Sequence, residues 1–402
     1  MNDLLDATIP TVELDPFSPE VLQSPHPYHH VLREAGPVVR LARYGIFAMA
    51  RYAEVREVLM DWRTFCSSAG VGLTNFRKET PWREPSVVVE ADPPLHTRTR
   101  GVLARILAPR ELRRLQETLE REAETLIADL VERGEFDGVA DLAEPYPVKV
   151  FSDAMGLPEK GRRENLLAYS NIGFNAFGPR NALFNEAMEN AAGAVDWIMT
   201  NCRREALAPG GFGAQIYAAV DSDELTEHEA FLIVRGFLTA GMDTTIAGLS
   251  SALLCLARNP AQWQMLRAQP LLAKAAFEEA LRIEAPIQTL FRTTTRQVAI
   301  AGVMLSEGEK VLLSLGAANR DPRKWDEPAV YNIQRHSGGH VGFGAGIHGC
   351  VGQVIARMES EAILGALARQ AQTIELVGKP KTRLNNTLRG LARLPLKVRA
   401  AA

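Results

Sequence analysis

The sequence predicts a mainly α fold with a minor β region, built as one integrated body over residues 1–402. Three observations carry that expectation: long runs with apolar residues recurring at helical spacing, a few short strand-like segments, and a central apolar stretch with polar residues buried in it. Val38 to Met49 reads as a β-hairpin. Amphipathic helices are expected over Glu111 to Glu132 and Asn185 to Leu207. The central helix follows, with Thr226 and Glu229 spaced as a capping box at its start and Asn259-Pro260 as its stop. Apolar residues lie all round it, from Phe231 and Leu232 to Leu253 and Leu254, so it is expected at the centre of the molecule. Pro260 to Glu284 continues in helix, Val298 to Leu315 reads as two or three strands, Gly352 to Gln370 as a helix, and Thr373 to Val398 as a further pair of strands. There is no internal repeat and no Gly/Ser linker, so a flexible domain boundary has no support.

Apolar residues make up 46% of the chain and charged residues 23%, enough to bury a sizeable core without a partner. The net charge of −3 argues against a whole-surface polyanion binder, so nucleic acid is not an expected partner. Residues 1–16 carry acids and prolines where a secretory signal would carry basic residues and an apolar run, which points to the cytoplasm. Arg235 and Asp243 interrupt the apolar stretch from Phe231 to Leu256, favouring a buried helix over a membrane span. Cys66, Cys202, Cys255 and Cys350 are widely spaced, with no CxxC pair and no zinc-type histidine pattern, and disulfides are not expected. The first three lie in contexts where cysteine is a small hydrophobe.

Cys350 is different. It sits in Phe343-Gly344-Ala345-Gly346-Ile347-His348-Gly349-Cys350-Val351-Gly352, directly before a helix. Glycines there permit positive φ and close approach of a flat cofactor, while backbone amides and the helix dipole favour a thiolate. This stretch resembles the haem-binding loop of the cytochrome P450 superfamily at its diagnostic positions. Other segments resemble the family in the expected order: Glu279 and Arg282 the helical Glu-x-x-Arg pair, Asn319 to Pro322 through Arg335 the segment closing its ion network, and Asp92-Pro-Pro-Leu-His96 to Arg100 the loop whose His and Arg reach the haem propionates. The resemblance runs from about residue 25 to the C-terminus.

It implies a cytochrome P450 fold, with haem b sandwiched between the central helix and the cysteine loop. Cys350 would be the iron ligand; Phe343, His348, His96, Arg100, Arg292 and Gly241 would contact the cofactor, and Glu279, Arg282 and Arg335 would be structural. Ala240-Gly241-Met242-Asp243-Thr244 resembles the family's oxygen groove. There Gly241 would let O2 approach the backbone, Thr244 would hold the reacting oxygen by a hydrogen bond, and Asp243 would gate proton delivery, with Thr245 in support. The implied reaction inserts one oxygen atom with electrons from NAD(P)H. With no flavin, dinucleotide or iron–sulfur motif in the chain, a separate ferredoxin and ferredoxin reductase are implied. The basic run Arg98, Arg100, Arg105, Arg110, Arg113 and Arg114 either faces that ferredoxin or is a solvated helix face.

A finer resemblance is to bacterial members that oxidise para-substituted benzoates. Pro81 to Ser86 resembles the loop whose Arg83 and Ser86 receive the substrate carboxylate, and Phe174 and Phe177 resemble the aromatics that sandwich its ring. Arg235, Thr239 and Phe291 complete the expected pocket. Gly236 and Thr239 stand where those members usually have serine, so a longer acid such as a cinnamate also fits. The expected chemistry is hydroxylation or O-demethylation, with monomer as the default state. The alternatives are a hydroxylase of a terpene or macrolide and a non-catalytic haem sensor.

Overall fold

The computed structural model describes residues 9–401, so the first half of the N-terminal stretch lies outside the described residues. The mainly α expectation is met. The longest uninterrupted helix, Pro109–Arg133, starts on a proline whose missing N–H would have no helical partner, and ends at Gly134, whose φ of 74° few other residues adopt. It packs along the helix Gln353–Gln370, which follows the cysteine loop.

Two expected helices are broken. Asn185 to Leu207 divides into Ala182–Asn190, Ala192–Asn201 and a 3-10 turn, with Ala191 outside helical geometry at φ −116° and ψ 18°. Pro260 to Glu284 divides into Pro260–Ala268 and Ala273–Glu284. Here the cause is steric: Pro270 forces Gln269 out of the helical region to φ −139° and ψ 79°.

The central helix also differs in one respect. Its capping box is present, with Thr226 Oγ1 accepting from the Glu229 N–H and Glu229 accepting from the Thr226 N–H. Its body, however, is two helices, Glu227–Ala240 and Asp243–Arg258, separated at Gly241 and Met242. The hydroxyls of Thr244 and Thr245 donate to the carbonyls of Ala240 and Gly241 at this break, a side-chain competition with the backbone ladder that bends helices. By length and composition this stretch could span a membrane, but 78% of its apolar 18-residue window is buried inside the protein, as in a core helix.

The hairpin Val39–Leu41/Ile46–Met49 forms as expected, turning at Gly45. It belongs to a six-stranded sheet in the order Thr11–Val12, Val39–Leu41, Ile46–Met49, Lys310–Ser314, Thr289–Thr294, Phe65–Cys66. Val298 to Leu315 yields three strands, a small hairpin Val298–Ile300/Val303–Leu305 and the sheet strand Lys310–Ser314. The C-terminal segment yields two pairs, Ala371–Leu376 with Pro395–Ala400 and Lys381–Arg383 with Gly390–Arg393. Cys66, Cys202 and Cys255 are buried and free; burial pushes the Cys202 thiol up to about 12 and the Cys255 thiol well above its usual range, as suits inert small hydrophobes.

Candidate active site

The cysteine loop is held from both ends. The Cys350 N–H donates to the Phe343 carbonyl at 2.8 Å, closing the loop, and Arg100 Nη2 donates to the Gly349 carbonyl at 2.5 Å. Gly346 has a φ of 68°, and a Cβ there would lie 2.5 Å from the Leu59 carbonyl, so backbone conformation and close packing both demand glycine. Arg357 lies 4.6 Å over the Phe343 ring and pairs with Glu278, which also meets His340 at 2.8 Å. The expectation of a lowered thiol is not met by these protein groups. Burial pushes the Cys350 thiol up, against the pull of the Gly352 and Gln353 amides and of Arg100 and Arg357. A metal ion held by Cys350 would supply the positive charge that favours the thiolate.

A haem fits the residues around this loop. His96 and His348 lie with ring centroids 4.4 Å apart, and the Nε2 atoms of both are buried without a hydrogen-bond partner. Burial, followed by the nearby His348 and Arg100, lowers His96 to about 4. Arg292 is 3% exposed, its guanidinium donates to the Phe291 carbonyl, and burial lowers it to about 10. Buried cationic and unpartnered donors of this kind match two propionates carried into a low-dielectric site. Asp92, whose role the sequence reading left unassigned, accepts from the amides of Ser67 and Ser68 and faces His348 at 3.7 Å. Burial opposes its ionisation, but these hydrogen bonds win and hold its carboxyl well below the usual range. Arg98 is turned elsewhere, pairing with Glu229 at 2.5 Å on the surface.

At the break in the central helix Asp243 is fully buried and meets Arg383 Nη2 at 3.2 Å. No sequence signal links them, because Arg383 arrives on a strand far along the chain. Thr244 Oγ1 donates to Ala240 O at 2.8 Å. At Gly241 a Cβ would lie 2.5 Å from the Phe151 ring, in the main core cluster, so packing against Phe151 also demands glycine there.

Arg83 lines a cavity with Pro81, Trp82, Phe177, Arg180 and Phe184. Its Nη1 meets Glu90 Oε2 at 3.2 Å and donates to the Glu84 carbonyl at 2.8 Å, and the guanidinium lies 5.7 Å over the Trp82 ring. Ser86 Oγ accepts from the amides of Val88 and Val89. Arg235 Nη2 donates to the Glu84 carbonyl at 2.5 Å, so it braces the Arg83 loop from behind. Thr239 Oγ1 donates to the Arg235 carbonyl, which engages the hydroxyl within its own helix.

Phe174 and Phe177 touch at 6.1 Å, but at 87° to each other, an edge-to-face pair and not two parallel walls. The helix Arg162–Asn175 ends between them, which turns the second ring out of register. Phe174 packs with Ala247 and Leu388, one turn beyond the Asp243–Thr244 pair. Phe291 departs from the expected pocket. It is fully buried on the far side of its strand, stacked 6.5 Å from Phe17 at 13°. Alternation along Thr289–Thr294 puts Leu290 on the same face as Arg292 and Phe291 on the other.

Behind the loop Arg282 grips Glu279 through two hydrogen bonds of 2.7 and 2.8 Å, with both side chains fully buried. Arg335 joins at 2.9 Å and Ser337 at 2.7 Å. This network is structural. The basic run divides: Arg98 and Arg105 are tied to Glu229 and Glu224, while Arg113 and Arg114 are exposed.

The cytochrome P450 family profile matches residues 176–399. Cytochrome P450 CYP199A2 of Rhodopseudomonas palustris is 53% identical over 396 residues, covering 98% of this chain and 96% of the relative. The β-dihydromenaquinone-9 omega-hydroxylase of Mycobacterium tuberculosis is 32% identical, covering 96% of this chain and 78% of the relative. Among solved structures, CalO2 is similar with a TM-score of 0.84 at 28% identity, over 96% of this chain and 99% of that one. With its cysteine loop, unpartnered histidines and broken central helix accounted for, the chain belongs to the cytochrome P450 family, as a monooxygenase using haem b, O2 and reducing equivalents that reach it from NAD(P)H through partner proteins.

Proposed function

We propose that this monooxygenase acts on an aromatic carboxylic acid of the para-substituted benzoate or cinnamate type, by hydroxylation or O-demethylation. The carrying observation is the cavity in which Arg83 lies beside Trp82 and Phe177, a cation on an aromatic wall. Arg83 receives the carboxylate, and the Ser86 hydroxyl, which accepts from two amides, keeps its proton free to donate. Glu90 and the Glu84 carbonyl keep the guanidinium oriented, and Arg235 fixes that carbonyl. Phe174, with Ala247 and Leu388, supplies apolar contact for the ring near the acid–alcohol pair. The far substituent is thereby directed away from the charge and toward the reacting oxygen.

Cys350, Arg100, Arg292, His96 and His348 are the residues that would hold the haem, which when bound supplies the oxidising chemistry. The Thr244 hydroxyl holds the reacting oxygen by exchanging its bond to the Ala240 carbonyl. Asp243, buried beside it, passes protons to that hydroxyl. A ferredoxin and its reductase deliver the electrons, and the enzyme works in the cytoplasm as a monomer.

The test is a difference absorption titration of the haem-loaded ferric protein with 4-methoxybenzoate, cinnamate and a neutral terpene, repeated on Arg83→Ala. A low-to-high-spin shift with the acids, lost in the variant, is the expected result. A shift with the terpene alone would leave a monooxygenase of neutral substrates.

A further inference from the structure

Lys310 is a buried charge that the proposed reaction does not use. It begins the strand Lys310–Ser314, opposite Thr293 of the neighbouring strand, and is 5% exposed. Its Nζ donates three hydrogen bonds, to the carbonyls of Ala69 at 3.1 Å, Gly70 at 2.7 Å and Thr74 at 3.1 Å. Three bonds fill the donor capacity of an ammonium, and each of these partners is main chain. Burial pushes the pKa of this lysine down to about 7, so its charge is held in the core at a cost that the carbonyls offset.

The three carbonyls converge because the chain curls on itself between Ala69 and Phe76. Gly70 has a φ of 95°, and a Cβ there would lie 2.7 Å from the Thr74 carbonyl oxygen, so the curl closes only on glycine. The Phe76 N–H donates back to the Ala69 carbonyl at 3.1 Å. Carbonyl dipoles aimed at one point repel one another, and a cation at that point turns the repulsion into attraction. Two bonds tie the curl to its surroundings: the Val71 carbonyl accepts from the Phe291 N–H at 3.0 Å, and the Leu73 N–H donates to the Phe177 carbonyl at 2.8 Å. Gly72 presses on the same phenylalanine, since a Cβ there would lie 2.7 Å from Phe177 Cα. Gly72, Thr74 and Phe76 line the cavity that also holds Phe177 and Arg83.

We propose that Lys310 is a positioning residue for the aromatic acid: its ammonium holds residues 69–76 curled, and the curl seats Phe177 in the cavity that contains Arg83. This rests on the reading of that cavity as the acid's site. Phe177 lies two residues beyond the end of the helix Arg162–Asn175, and its carbonyl is fixed by Leu73. A neutral side chain of similar length at 310 would leave three buried carbonyls converging without a cation, and the curl would relax. The effect reaches the acid through Phe177. It therefore falls on ligands that fill the aromatic slot and spares those bound at the iron alone.

The experiment titrates the haem-loaded ferric protein with 4-methoxybenzoate and, separately, with imidazole, following the absorption change in wild type, Lys310→Met, Lys310→Gln, Phe177→Ala, Arg83→Ala and the double variant Lys310→Met/Phe177→Ala. Lys310→Met should weaken the acid about tenfold and lower the high-spin fraction at saturation, with imidazole affinity kept within about twofold. Lys310→Gln, which keeps a neutral donor, should fall between, and it carries the comparison if Lys310→Met does not hold haem. Without the Phe177 ring the penalty of Lys310→Met should shrink by roughly half or more, because the group it positions is gone. Unchanged acid affinity in the Lys310 variants, an equal loss of imidazole binding, or a full penalty in the Phe177→Ala background overturns the proposal. Arg83→Ala separates the two readings: acid binding retained there removes the site on which the proposal rests, whereas acid binding lost in Arg83→Ala and kept in Lys310→Met overturns only the role of Lys310.

Discussion

Glu359 has a carboxylate in the core of the helix Gln353–Gln370, 1% exposed and with Oε2 unpartnered. Burial alone raises its pKa from 4.5 to about 8. Between those values the folded protein holds a proton that the unfolded chain releases. This contribution to stability is therefore full below about 4.5, declines as pH rises to about 8, and is lost above it. Glu359→Gln should raise stability at alkaline pH by on the order of 1–3 kcal/mol and change little in mild acid, measured by denaturant unfolding across pH. Gly236 offers a second test. A Cβ there would lie 3.8 Å from Ser86 Oγ, at ordinary contact distance, so a serine fits beside the proposed carboxylate site. Gly236→Ser should tighten 4-methoxybenzoate binding by about 1 kcal/mol, roughly fivefold, in the spin-state titration. At this scale the family resemblance named His96, Arg292 and His348 as one group, and the structure sets the His96 and His348 rings 4.4 Å apart with Arg292 near His348. Phe291 was misread because a strand alternates faces and the sequence does not print which face is which. Arg383 was missed because its partner is distant in sequence.

The elements that form the site are set by local chemistry that the sequence carries unevenly. The capping box of Thr226 and Glu229 and the proline-driven end at Asn259 were legible, since each is written in adjacent residues. The break at Gly241 and Met242 was not, because a stretch rich in apolar residues reads as continuous helix, and the threonine hydroxyls that sustain the break bond backbone groups as they do in many unbroken helices. The division of the next helix is written in the sequence at Pro270, through the restriction it places on Gln269. The buried Glu279–Arg282–Arg335 network joins the helix Ala273–Glu284 to the segment before the cysteine loop. Glu279→Ala would leave Arg282 charged and unpaired in the core. It should cost about 3–5 kcal/mol, read from denaturant unfolding, with loss of haem retention following from a loosened loop.

Across the whole molecule, distant stretches of chain are brought together in pairs: the central helix meets the Arg83 loop through Arg235 and Glu84, and the strand bearing Arg292 lies near His348 of the cysteine loop. Their order in the sequence announced the architecture, but the contacts that define the substrate pocket depend on tertiary packing that spacing does not encode. Within the basic run, Arg98 and Arg105 are committed to Glu229 and Glu224. The central claim, that an aromatic acid anchored at Arg83 is oxidised by this cytochrome P450, is tested most directly by product analysis under isotopically labelled O2. Haem-loaded enzyme, ferredoxin, reductase and NADH would be incubated with a para-alkyl benzoate or with its methyl ester. The account predicts a hydroxylated acid carrying one labelled oxygen and little product from the ester; equal oxidation of the ester, or an unlabelled hydroxyl, would contradict it.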